Sequence, residues 1–334
     1  MIALRRYKLK TLTAPLSLRR LLLLAVLTVP LALHARTWHA FVGAQTHDKG
    51  RQALAFLPNE IWIHAGDSVT WLFAADEIHT VSFLTPTQIR PPFQVGCPGA
   101  TPNDSSFDGT ICVNSGALAE PASFTVMFPR AGNFKLVCLV HNNMTGIVHV
   151  LSSSSPLPHS QAFYDRVAAS EARGLIIDSD NFRTQSLATH PSHNNVVTGI
   201  GEIVATPAGQ QTLSVVRFLH PTTVIHVGQT VEWANWDPVT PHTATFGAEP
   251  ANPVPPSSNV TLTADGSLHA VISSPSDAVH SGFLMAAPQE ITGLAQQPIT
   301  VTRFRVTFTK PGTFPFICVL HDDLGMKGKI VVLP

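Results

Sequence analysis

The chain repeats itself, and the repeat limits the fold more than any other feature. Residues 222–236, T-T-V-I-H-V-G-Q-T-V-E-W-A-N-W, match residues 59–73, N-E-I-W-I-H-A-G-D-S-V-T-W-L-F, almost position for position. P-H-T-A-T-F (241–246) matches I-H-T-V-S-F (78–83), and V-H-S-G-F-L (279–284) echoes V-N-S-G-A-L (113–118). Residues 303–321, ending F-I-C-V-L-H, match the stretch ending L-V-C-L-V-H at His141. A repeat this long signals two copies of one domain. The 334 residues are enough for two separate cores.

Each copy reads as short strands. Apolar residues alternate through Ile61 and Ile63, then Val69 and Trp71, with Ala65-Gly66-Asp67 between them, which predicts a hairpin. Further strands are expected from Trp38 to Gly43, from His79, and over residues 123–128, 134–137 and 146–151. Only 13% of residues are charged and 27 are Pro, as suits a turn-rich β protein. The expected class is all-β: two tandem antiparallel Greek-key sandwiches. Residues 152–158 form a Ser/Pro linker, and 159–173 read as the one helix, with Phe163 and Val167 four apart and Gly174 as its C-terminal cap. The predicted layout is a signal over 1–35, domain 1 over 36–151, a helical linker over 152–190 and domain 2 over 191–334. Residues 85–121 and 247–278 are excursions from the repeat.

The first 35 residues carry Arg5, Arg6, Lys8, Lys10, Arg19 and Arg20, then an apolar run from Leu21 to Leu33 and small residues around Ala32 to Ala35. This pattern predicts a secretory signal and a periplasmic or secreted protein. An uncleaved membrane anchor is the alternative; the Arg19-Arg20 pair raises twin-arginine export, but its flanks match poorly. Without those six basic residues the chain holds 15 basic and 21 acidic residues, a formal charge near −6. Nucleic acid is thereby excluded as a natural partner, stable membrane insertion is not expected after signal removal, and basic redox proteins become plausible ones. Of four cysteines, Cys97 and Cys112 bracket a Gly/Pro/Asp-rich segment without nearby histidines. In an exported protein they are expected to pair as a disulfide.

The other two cysteines occupy equivalent loops. Copy one offers His79, Cys138, His141 and Met144; copy two offers His242, Cys318, His321 and Met326. Two imidazoles, a thiolate and a thioether form a soft set that suits a type-1 (blue) copper ion. Both loops resemble those of cupredoxins. Cys-x-x-His-x-x-x-x-Met in copy two is similar to plastocyanin and pseudoazurin, and Cys-x-x-His-x-x-Met in copy one to the shorter amicyanin loop. By that resemblance Thr80 and Thr243 stand just after the first histidine, where a backbone N–H could bond the cysteine sulfur and tune the potential.

The expectation is therefore an exported electron carrier with two type-1 coppers, exchanging electrons with a cytochrome or a copper oxidoreductase. Copper storage, delivery or resistance is the alternative, though Met-rich or exposed Cys arrangements are lacking. A two-domain multicopper oxidase or nitrite reductase is disfavoured. The chain has no His-x-His pair, and Val137, Leu139, Ile317 and Val319 flank the cysteines where such enzymes place a histidine. His39, His47, His64, His149, His220, His226, His269 and His280 lack the pattern and are expected to be surface or packing residues.

Overall fold

Alternation of apolar and polar residues turns most of the chain into strands that bury one face. The structure is a computed structural model that describes residues 35–97, 105–189, 194–286 and 301–334. Residues 1–34, which hold nearly all of the expected signal, lie outside the described residues. The first half supplies β1 (Thr37–Gln45), β2 (Arg51–Leu57), β3 (Glu60–His64), β4 (Ser68–Phe73), β5 (Ser82–Phe83), β6 (Ser105–Ser106), β7 (Val113–Asn114), β8 (Ser123–Met127), β9 (Gly132–Val137) and β10 (Thr145–Leu151). After α1 (Gln161–Thr189) the second half supplies β11 (Asn195–Thr206), β12 (Gly209–Leu219), β13 (Thr222–His226), β14 (Thr230–Trp236), β15 (Thr245–Phe246), β16 (Thr261–Leu262), β17 (Leu268–Ile272), β18 (Val279–His280), β19 (Arg303–Phe308), β20 (Gly312–Ile317) and β21 (Lys327–Leu333).

Both halves are all-β sandwiches with matching topology. One face is β3-β10-β9-β5-β7 in the first half and β13-β21-β20-β15-β18 in the second. The opposite faces do not stay separate. They join into one 11-stranded sheet through antiparallel pairing of β2 with β12, Gln52 opposite Ser214. The sandwiches are also mixed rather than purely antiparallel, since β1 pairs β4 and β3 pairs β10 in parallel, as do β11 with β14 and β13 with β21.

The predicted hairpin at Ala65-Gly66-Asp67 is an arch. β3 and β4 lie in different sheets, so the turn carries the chain from one face of the sandwich to the other. Alternation sets which side chains face the core, but it does not reveal which strand is the neighbour. Gly66 takes a φ of 95°, and Asp67 ties the arch down by accepting from Arg36 N (2.8 Å), Trp38 Nε1 (2.9 Å) and His64 N (3.0 Å).

Aromatic residues fill both cores. Trp71, Phe83, Phe107 and Phe128 pack in the first, and Trp233, Phe246, Phe308 and Phe316 in the second. The linker helix runs well beyond its predicted end. It passes Gly174, where an added Cβ would meet open space, and continues to Thr189. A glycine costs a helix interior about 1 kcal/mol. Burial of Leu175 with Ala53, Ala55, Leu57 and Leu213 offsets that cost, because the helix lies on the junction of β2 and β12. The disulfide between Cys97 and Cys112 is present.

Candidate metal centres

The same local device builds both centres. The last two long strands of each half, β9 and β10 or β20 and β21, are joined by the loop that carries cysteine, second histidine and methionine. Cys138 N donates to Met144 O (3.0 Å) and Cys318 N to Met326 O (3.1 Å), which closes each loop at its base. The first histidine comes from the other end of the sequence repeat. His79 bridges to Leu118 and His242 to Leu284, so each is fixed by backbone pairing rather than by the loop.

These elements bring the predicted donors together. His79 Nδ1 lies 3.1 Å from His141 Nδ1, and Cys138 Sγ lies 3.8 Å from His141 Nδ1. In the second half His242 Nδ1 and His321 Nδ1 are 3.1 Å apart, with Cys318 Sγ 3.8 Å and 3.4 Å from them. All three donor atoms of each group fall within 4.8 Å of one another, and all six side chains are buried. Met144 and Met326 are fully buried in the cores beside them. Buried donors that converge through Nδ1 and Sγ, with nothing else between them to satisfy, fit a single soft metal ion.

Electrostatics prepare the sulfur. Burial pushes both thiols up, but the hydrogen bonds and charge of the flanking histidines outweigh it and hold Cys138 and Cys318 well below the ordinary thiol range. Thr80 N and Thr243 N each approach the cysteine sulfur at 3.3 Å. The hydroxyls of the same threonines accept from Leu139 N (2.7 Å) and Val319 N (2.9 Å), locking the strand to the loop.

Several residues around the centres were not singled out by the sequence. Gly43 interrupts the register of β1 at φ 72°, and Gly199 interrupts β11 at φ 80°. A Cβ at Gly43 would come within 2.8 Å of His79 Nε2, and one at Gly199 within 2.2 Å of His242 Nε2. Both glycines thus make room for the back of the first histidine; their shared place in the repeat was the signal that could have found them. Arg90, from the first excursion, donates to Asn142 O (2.7 Å) and His141 O (3.0 Å) and clamps the first ligand loop.

Two buried carboxylates complete the surroundings. Asp237 Oδ2 stands 3.9 Å from His242 Nε2 and its Oδ1 accepts from Val239 N and Thr240 N, both at 2.9 Å. Glu77 Oε1 lies 3.4 Å from His141 Nε2 while its Oε2 lies 3.4 Å from His321 Nε2. Burial pushes the His141 imidazole down and the Glu77 carboxyl up. Their contacts, with those to Cys138 and His321, reverse both, raising His141 to about 10 and lowering Glu77 to about 2. Burial likewise works against the His242 imidazolium, and Asp237 and Cys318 raise it to about 9.

Among the described residues, the eight other histidines named above belong to neither donor group. His280 is the most enclosed, with Nδ1 2.7 Å from Thr245 Oγ1 and Nε2 2.9 Å from Pro253 O.

No family model matches the chain, and no curated protein matches it. Among solved structures, a reduced amicyanin variant shows 17% identity over 34% of this chain and 82% of its own, with a TM-score of 0.24. A fern plastocyanin variant shows 17% identity over 42% of this chain and 99% of its own, TM-score 0.22. A copper-containing nitrite reductase from Thermus scotoductus shows 16% identity over 89% of this chain and 68% of its own, TM-score 0.22. Likeness at that level says nothing of activity. The strand order and donor geometry stand without it: each half is an all-β sandwich with a buried His-Cys-His group.

Proposed function

We propose that the chain is an exported electron-transfer protein holding two type-1 copper ions, one in each half. His79, Cys138 and His141 would hold the first and His242, Cys318 and His321 the second, with Met144 and Met326, buried beside them, as further sulfur donors. The observation that carries this reading is the pair of buried thiolate–imidazole groups, each fixed to a rigid sandwich by a strand and a loop far apart in sequence. Bound copper supplies a one-electron couple, Cu(II)/Cu(I). The protein's part is to keep the donors in place in both states, to exclude water and to hold the sulfur ionised.

Carriage of electrons is favoured over copper handling because all six donors are enclosed, whereas a delivery site needs a ligand that can reach a partner. Catalysis at a further metal would need another ligand group. Among the described residues the His/Cys/carboxylate clusters are the two named above. The experiment is a competition: reduced, copper-loaded protein is mixed with a basic cytochrome c and, separately, with a Cu(I) chelator. Electron delivery much faster than copper loss supports the carrier; copper loss that outpaces it supports storage or delivery.

A further inference from the structure

The outer edges of the two centres face each other across one side chain. His141 is 1% exposed and His321 3%, so neither presents its ring to solvent. Both rings direct Nδ1 into their own donor group, which leaves Nε2 as the position that carries hydrogen once a metal is bound. Both Nε2 atoms end on the same carboxylate: one Glu77 oxygen lies 3.4 Å from His141 and the other 3.4 Å from His321. Glu77 belongs to the first half, just ahead of His79, and is itself 6% exposed. The matching position in the second half is Thr240, whose backbone N–H serves Asp237.

We infer that Glu77 couples the two centres: its single carboxylate holds a metal-ligating histidine from each half, so a change of charge at either centre is felt at the other. The inference rests on the copper reading of both sites. A buried carboxylate is an expensive way to fill space, since apolar residues of like volume hold a junction at least as well. What it supplies is a fixed negative charge placed against two N–H groups whose polarity rises when their metal is oxidised. Carboxylates in that position orient a ligand ring and raise its basicity, which favours the oxidised metal. Here one carboxylate does so for two metals, in an interior where charges are weakly screened.

The role is positional, and its mark is an effect that crosses from one half to the other. In the full-length chain carrying Cys138→Ser, only the second centre can be blue, and its reduction potential is measured with Glu77 and with Glu77→Gln. Loss of the shared charge should favour the reduced state of that second centre by about tenfold, some 59 mV for one electron. Glu77→Asp keeps the charge but is too short to reach both rings, and should shift the second centre in the same direction. An unchanged second potential in both variants overturns the inference, for the carboxylate then serves only its own half. If the Cys138→Ser chain is colourless with copper, the type-1 reading fails instead. The bridge is then read in metal-free protein from the imidazole nitrogen resonances. Glu77→Gln should move those of His321 as well as those of His141, and movement of His141 alone contradicts it.

Discussion

The two centres have the same donors in the same places and the same backbone supports, yet the loops and charged side chains around them differ. In the first half the ligand loop is short and Arg90 clamps it from the disulfide-bearing excursion. In the second half the loop has two more residues, the excursion over 247–278 contains neither Arg nor Lys, and a buried Asp237 stands behind the first histidine. The comparison teaches that the sandwich fixes the donor set while the outer shell is free to diverge. Two sites with the same donors and different fields have different potentials.

The largest test of this division falls on what the halves share. Gly199→Ala would drive a Cβ into His242, and Gly43→Ala would press less severely on His79. Strain at positive φ and overpacking each cost on the order of 1–3 kcal/mol. Thermal unfolding together with a copper count should show the first variant losing the second copper, and the second variant weakening the first copper by less. Equal copper binding by both variants and wild type would mean that the glycines do not shape the sites.

Next in size is a feature the halves do not share. Arg90→Ala removes two charged-donor bonds to loop carbonyls and should destabilise the chain by about 2 kcal/mol. It also removes a positive charge that acts on Cys138, so the first potential should fall while the second holds. Spectroelectrochemistry reads both, and a shift of equal size in the two halves would place Arg90 outside this account.

The smallest effect concerns the junction. Glu171 on α1 accepts from Asn59 N (3.0 Å) and Gln211 Nε2 (3.2 Å), and burial, its main influence, pushes its carboxyl above the usual range. The folded state therefore holds this proton more tightly than the unfolded chain. As pH rises through 4.5 the unfolded chain ionises first, and stability falls until the folded group has ionised too. Glu171→Gln should remove that slope. Denaturant titrations at pH 4 and 7 check it: wild type should be the more pH-sensitive of the two.

Which features could be read from the sequence follows from the repeat. His79, Cys138, His141 and their counterparts stood out because the spacing occurs twice, and a loop closed on β9 and β10 can bring them together in only one way. Glu77 and Asp237 did not stand out, since Thr240 and Ala74 occupy the matching positions and nothing in the chain marks a lone carboxylate as facing a histidine of the other half. The sandwiches were legible from alternation, but the shared 11-stranded sheet was not. The pairing of Gln52 with Ser214 depends on how two edges meet, and edges carry no periodic signal. Gly174 was misleading for a related reason: a glycine caps a helix only where the next turn has no apolar surface to bury, and Leu175 has it.

The central claim is two separate copper sites, one per half, and a copper titration followed by visible absorption tests it most directly. An intense blue band should grow to two equivalents per chain, and Cys138→Ser or Cys318→Ser should each stop it at one. A colourless loaded protein, or a band that survives loss of both cysteines, would contradict the account.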